Sequence, residues 1–201
     1  MVANVNDLRY RRTEAAIRSA FMELVACTPV SAVTASALCR RAGISRNAFY
    51  LHHASVDALY AALIDEVVAD VRAEAMASSR RVVATGDVDT LLAPAIVEAL
   101  CRHERLLRAL LPSDDGSLAM CLAVGLKDAY VEAGLLLGGV AGGFEHRMSC
   151  FFAAWAHVGL VVGWVQETER PLAEVLPLFQ ELQMSVTVSG TRLLTRHRPG
   201  A

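Results

Sequence analysis

Proline is scarce, six in 201 residues, and no stretch alternates β-branched with polar residues for long. A β sandwich or barrel is therefore excluded, and the class is all-α. The five cysteines, Cys27, Cys39, Cys101, Cys121 and Cys150, are odd in number, widely spaced and never arranged as CxxC. That excludes a disulfide framework and a zinc site and leaves reduced, mostly packed thiols. HExxH is missing and no serine lies in a nucleophile elbow. His103-Glu104, Asp114-Asp115 and Glu145-His146 are adjacent pairs rather than ligand sets one helical turn apart. Neither an enzyme nor a metal or other cofactor is expected. Internal repeats and low-complexity segments are absent as well. Asn4, Asp7 and three arginines stand where a signal peptide would need an apolar core, which predicts a cytoplasmic protein.

What is present is distributed unevenly. Residues 1–55 hold seven arginines against Asp7, Glu14 and Glu23, a net of +4; with −2 for the whole chain, the remainder carries −6. A basic head on an acidic body suggests that only the head meets a polyanion. In the head, Ala16, Ile17, Ala20, Phe21, Leu24 and Val25 form one apolar stripe along a helix over 13–27, which Thr28-Pro29 ends. Thr34 is placed to cap a short helix over about 35–41, Gly43 to end it in the left-handed conformation, and Ser45 to cap the next. In that next helix Arg46, Asn47 and Tyr50 share a face while Phe49 points back toward the stripe. Arg and Asn match the base edges of the major groove, and Tyr suits a phosphate or base contact. The segment reads as a helix-turn-helix.

The stretch "TASALCRRAGISRNAFYLHHASVDAL" resembles the DNA-binding segment of the tetracycline-repressor (TetR/AcrR) family of transcriptional regulators, with Thr34, Leu38, Ala42, Gly43, Ile44, Ser45, Phe49, Tyr50, His52 and Leu59 in register. The resemblance covers about residues 13–65. It implies a three-helix DNA-binding domain over 1–54 joined by a long helix to a helical effector-binding and dimerisation domain over 55–201. It also implies a DNA-contacting set of Thr34, Ser36, Ser45, Arg46, Asn47, Tyr50 and His52, with Arg46 and Asn47 on bases and Tyr50 and His52 as phosphate clamps. Two positions depart from the pattern. His53 replaces a packing phenylalanine, and Val56 replaces a lysine that meets a phosphate. Arg9, Arg11 and Arg12, ahead of the first helix, could compensate as a flexible basic arm.

Beyond the head, the pattern predicts a long helix over 55–79, helices at about 88–103, 104–111 and 116–136, and a last helix from Pro171 to about Thr195, bent at Pro177. "LGGVAGGF", residues 137–144, lacks the GK[ST] of a phosphate loop and reads as a connection. Residues 148–166 contain no Asp, Glu, Lys or Arg, so a membrane-associated helix is the rival reading. His157 inside the run and the absence of a following positive cluster oppose it, and no membrane partner is expected. A helix apolar all round can instead be buried on several sides. Phe152, Ala156, Gly159 and Gly163 form a small-residue face suited to a homodimer interface, as the resemblance implies for the last two long helices. His103, Met120, Tyr130, Phe144, Met148, Phe151 and Trp155 are the expected lining of a mostly apolar pocket for a small-molecule effector. The whole reads as a homodimeric repressor that binds a palindromic DNA operator and is released by that effector.

Overall fold

A computed structural model describes residues 8–85, 93–113, 115–136, 143–179 and 181–182. Among these residues the regular structure is entirely helical: α1 (Leu8–Val25), a 3-10 turn (Val30–Ala32), α2 (Ala35–Ala42), α3 (Arg46–His52), α4 (Val56–Thr85), α5 (Ala93–Arg102), α6 (Glu104–Leu110), α7 (Ser117–Leu136) and α8 (Phe144–Glu167). A further helical segment covers 172–179. Residues 137–142 of the glycine-rich connection and 183–195 of the expected last helix lie outside the described residues. The chain forms two compact units, one of residues 1–65 with 105–118 and the other of 66–104 with 119–201.

In the first unit, α1, α2 and α3 pack on one another. The predicted stripe supplies the contact: Ile17 and Phe21 are fully buried, with Ala20 and Val25 nearly so. Leu38 from α2, Phe49 from α3 and Leu59 from the start of α4 are also fully buried. Each such large apolar side chain contributes roughly 1.5–3 kcal/mol on leaving water. The starts of α2, α3 and α4 are capped by side-chain oxygens. Ala37 N–H donates to Thr34 Oγ1 at 3.2 Å, Ala48 N–H to Ser45 Oγ at 3.1 Å, and Ala58 N–H to Ser55 Oγ at 3.0 Å. Gly43 ends α2 at φ 67°, where a Cβ would strain the backbone. Residues 105–118 join this unit through Val30 N–H donating to Ser113 O at 3.1 Å and Tyr60 Oη lying 3.2 Å from Ser117 Oγ.

Two expectations change here. α1 begins at Leu8 rather than near Thr13, so Arg9, Arg11 and Arg12 are helical and not a flexible arm. Arginine is a good helix former, and Thr13 Oγ1 bonds back to Arg9 O at 3.0 Å. α4 runs to Thr85, past the predicted end near residue 79. Ser78, just before that predicted end, is already buried.

In the second unit, polar links tie neighbouring helices together. His103 Nε2 donates to Asp70 Oδ2 at 2.9 Å, and Arg102 spans Asp70 and Glu74. The His103 hydrogen bond is the main reason the Asp70 carboxyl titrates below its ordinary value, against a smaller opposing effect of burial. Leu172 N–H donates to Glu104 Oε2 at 3.1 Å, and Trp164 Nε1 to Arg170 O at 2.8 Å. α8 is apolar enough to cross a membrane, with a mean hydropathy of 1.6 over its best window. Its residues Cys150, Ala154, His157, Val158, Val161 and Trp164 are nevertheless buried along one side, which is how a core helix of a folded domain is built.

Candidate nucleic-acid interface

The polar face of α3 is open. Arg46, Asn47 and Tyr50 are exposed, with Tyr50 at half its free area, while Phe49 behind them has no exposed surface. The burial of Phe49, with Tyr50 edge-on to its ring at 5.3 Å, fixes the rotation of the helix, and that rotation turns the planar hydrogen-bonding groups outward. Thr34 and Ser36 lie exposed at the start of α2 and Ser45 at the start of α3. The Thr34 and Ser45 oxygens accept cap hydrogen bonds, and each hydroxyl retains its proton for an acceptor such as a phosphate. Arg40 is exposed on α2, whereas Arg41 pairs with Glu23 of α1. Six of the seven expected DNA-contacting residues are thus exposed, at the starts of α2 and α3 and along α3.

The seventh, His52, does not. Its side chain is 5 % exposed and turned into the unit. Nδ1 lies 2.9 Å from Glu14 Oε2, and the ring stacks on Tyr10 with centroids 3.9 Å apart. His53, which stands where the family pattern has a packing phenylalanine, takes part in the same contact, with Nε2 3.0 and 3.2 Å from the two Glu14 oxygens. Arg18 Nε donates to Glu14 Oε1 at 2.9 Å. Burial would raise the Glu14 pKa, but the Arg18 hydrogen bond, the charge of His53 and the hydrogen bonds from both histidines together hold it below its ordinary value. Glu14 is invisible to motif reading, because it lies 38 residues before His52 and only the packing of α1 on α3 brings them together.

The expected effector lining is not gathered into one enclosed site in the single chain. Tyr130 is buried, 3.1 Å from His157 Nδ1, which in turn donates to Ala153 O at 2.6 Å. Burial pushes the Tyr130 hydroxyl well above its ordinary pKa, so it stays neutral. His103 is committed to Asp70. Met120, Phe144, Met148 and Phe151 are exposed, and Trp155 is half-buried, edge-on to Phe151 at 6.3 Å. Phe152 and Gly159 are exposed too, and a Cβ at Gly159 or Gly163 would meet open space. At 100° per residue, positions 144, 148, 151, 152, 155, 156, 159 and 163 all fall within one broad face. The expected pocket face and small-residue face of α8 are therefore one stripe, opposite the buried side.

Residues 17–63 match the family of "Bacterial regulatory proteins, tetR family". No curated protein matches the chain. Among solved structures, the chain is similar to the dihydroxyacetone kinase operon activator DhaS, with 12 % identity, a TM-score of 0.58, and 88 % of this chain and 97 % of that one covered. It is also similar to the TetR family repressor AlkX from Dietzia sp. strain DQ12-45-1b, implicated in n-alkane biodegradation, with 19 % identity, a TM-score of 0.47, and 86 % and 94 % covered.

Proposed function

We propose that this chain, which belongs to the tetR family of bacterial regulatory proteins through its residues 17–63, is a repressor that binds a palindromic operator as a homodimer and leaves it on binding a small effector. The observation that carries the reading is the outward face of α3, with Arg46, Asn47 and Tyr50 exposed over a buried Phe49. A helix of seven residues contacts too few base pairs to address a genome, and two copies about a two-fold axis read adjacent major grooves. The exposed apolar stripe of α8 supplies the pairing surface, with Phe152, Ala156, Gly159 and Gly163 allowing close approach of the second copy. Pairing covers Phe144, Met148 and Phe151 as well, which a single chain leaves in water.

Residues 1–54 are the reading part and 55–201 the responding part, with α4 continuous from Val56 to Thr85 across the border of the two compact units. The effector is mostly apolar. It releases DNA only to the extent that it binds one arrangement of α4 better than the other. A protein acting on the chromosome works in the cytoplasm. The direct test is to sequence the fragments that the purified protein selects from its own genome. Recovery of a palindrome upstream of a gene whose expression rises on deletion of the regulator is expected, and selection of no common sequence would overturn the reading. Effectors are then sought as compounds that change tryptophan fluorescence and release that fragment together.

A further inference from the structure

We propose that Glu14 is a positioning residue for DNA recognition: it grips both histidines at the end of α3, holds the recognition helix in the rotation that the buried Phe49 selects, and links operator binding to proton uptake. The inference rests on the DNA-binding reading of α3. One carboxylate of α1 faces three donors, Arg18 Nε, His52 Nδ1 and His53 Nε2, at 2.9, 2.9 and 3.0 Å. An ionised carboxylate only accepts hydrogen bonds, so the proton sits on Nδ1 of His52 and on Nε2 of His53. The cluster closes on one side with Tyr10, stacked on His52, and on the other with the fully buried Phe49, tilted against His53 at 6.1 Å. The titratable and charged groups meeting there are Tyr10, Glu14 and Arg18 from α1 and His52 and His53 from the end of α3. Asp57, in the first turn of α4, is exposed.

Arg18 already balances the charge of Glu14. A proton added to either imidazole therefore makes the cluster net positive while turning its bond to the ionised carboxylate, already charge-assisted, into an ion pair. On His52 it also places a cation against the Tyr10 ring. The exposed Tyr50, two residues earlier, marks where the DNA backbone passes in the proposed complex. A phosphate there favours the protonated cluster, and imidazoles change charge between pH 5 and 8. Binding then takes up protons, so affinity rises as pH falls.

The experiment measures affinity for a duplex that the protein itself selects from randomised DNA, at constant ionic strength from pH 7.5 to 5.5. The parent is expected to gain roughly tenfold over that interval. His52→Asn with His53→Gln keeps a donor at each position but removes the titration; whatever its affinity at pH 7.5, it is expected to lose the gain at lower pH. Glu14→Gln is expected to bind more weakly throughout, with a flat profile. An undiminished gain in the double variant, or parental affinity of Glu14→Gln at every pH, overturns the inference while leaving DNA binding intact. Failure of the parent to select any duplex overturns the proposed function and this inference with it.

Discussion

Arg46 and Tyr50 share an exposed face but differ in what they can discriminate. A guanidinium matches a guanine edge through two hydrogen bonds, whereas a phenol on a phosphate is blind to sequence. Arg46→Ala is expected to lose about 1–3 kcal/mol on the selected operator and to relax preference at one base position, while Tyr50→Phe weakens all duplexes alike. Binding to a set of single-base variants checks both. Glu14 has a consequence for stability as well as for recognition. Its pKa is lower in the folded chain than its ordinary value of 4.5, so the folded state binds fewer protons than the unfolded state in acid. The stabilisation is complete above the unfolded value and is lost as pH falls through the folded one. Thermal melts from about pH 5 to pH 3 are expected to show a steeper loss for the parent than for Glu14→Gln; parallel curves would mean that the cluster does not favour the ionised carboxylate.

At the scale of helices, two glycines predict opposite outcomes. Gly125 of α7 lies so close to α4 that a Cβ would stand 2.4 Å from Val68 Cγ1. A β-branched side chain in a packed helix has little room to turn aside. Gly125→Ala is expected to destabilise the chain by about 1–3 kcal/mol from overpacking, reduced by a helix-propensity gain of about 1 kcal/mol. Gly159 of α8 has open space at its Cβ. Gly159→Leu should therefore leave the single chain folded while blocking close approach of a second copy. Circular dichroism melts and sedimentation equilibrium check the pair: Gly125→Ala melts earlier without change of mass, and Gly159→Leu runs as a folded monomer. An unaltered dimer in the second case would move the interface off this stripe.

At the scale of the whole molecule, a dimer doubles whatever each chain contributes to the DNA backbone. Val56 opens α4 where the family pattern has a lysine. Val56→Lys is expected to steepen the salt dependence by roughly 0.9 log unit per log salt for each added phosphate contact, about 1.8 for two chains. Equal slopes for the two forms would place the start of α4 away from DNA, and an increment of about 0.9 would mean that a single chain engages.

The sequence by itself determined the local elements of this protein and their chemistry. Thr34, Ser45 and Ser55 cap helices and Gly43 ends one because side-chain oxygens and a missing Cβ act on backbone groups only a few residues away. The same holds for the face shared by Arg46, Asn47 and Tyr50, since helical period alone sets it. Element ends were less legible, as at Leu8 and Thr85, because helix propensity by itself sets no boundary. The tertiary structure alone decided where His52 and His53 point, since Glu14 and Tyr10 reach them across 38 and more residues of chain. It likewise decided which side of α8 is core. That helix is apolar all round, so no periodicity marks a buried side, and the packing around Ala154, His157, Val161 and Trp164 selects it. Phe144, Met148 and Phe151, as apolar as the residues of the core, were thereby left on the outer stripe.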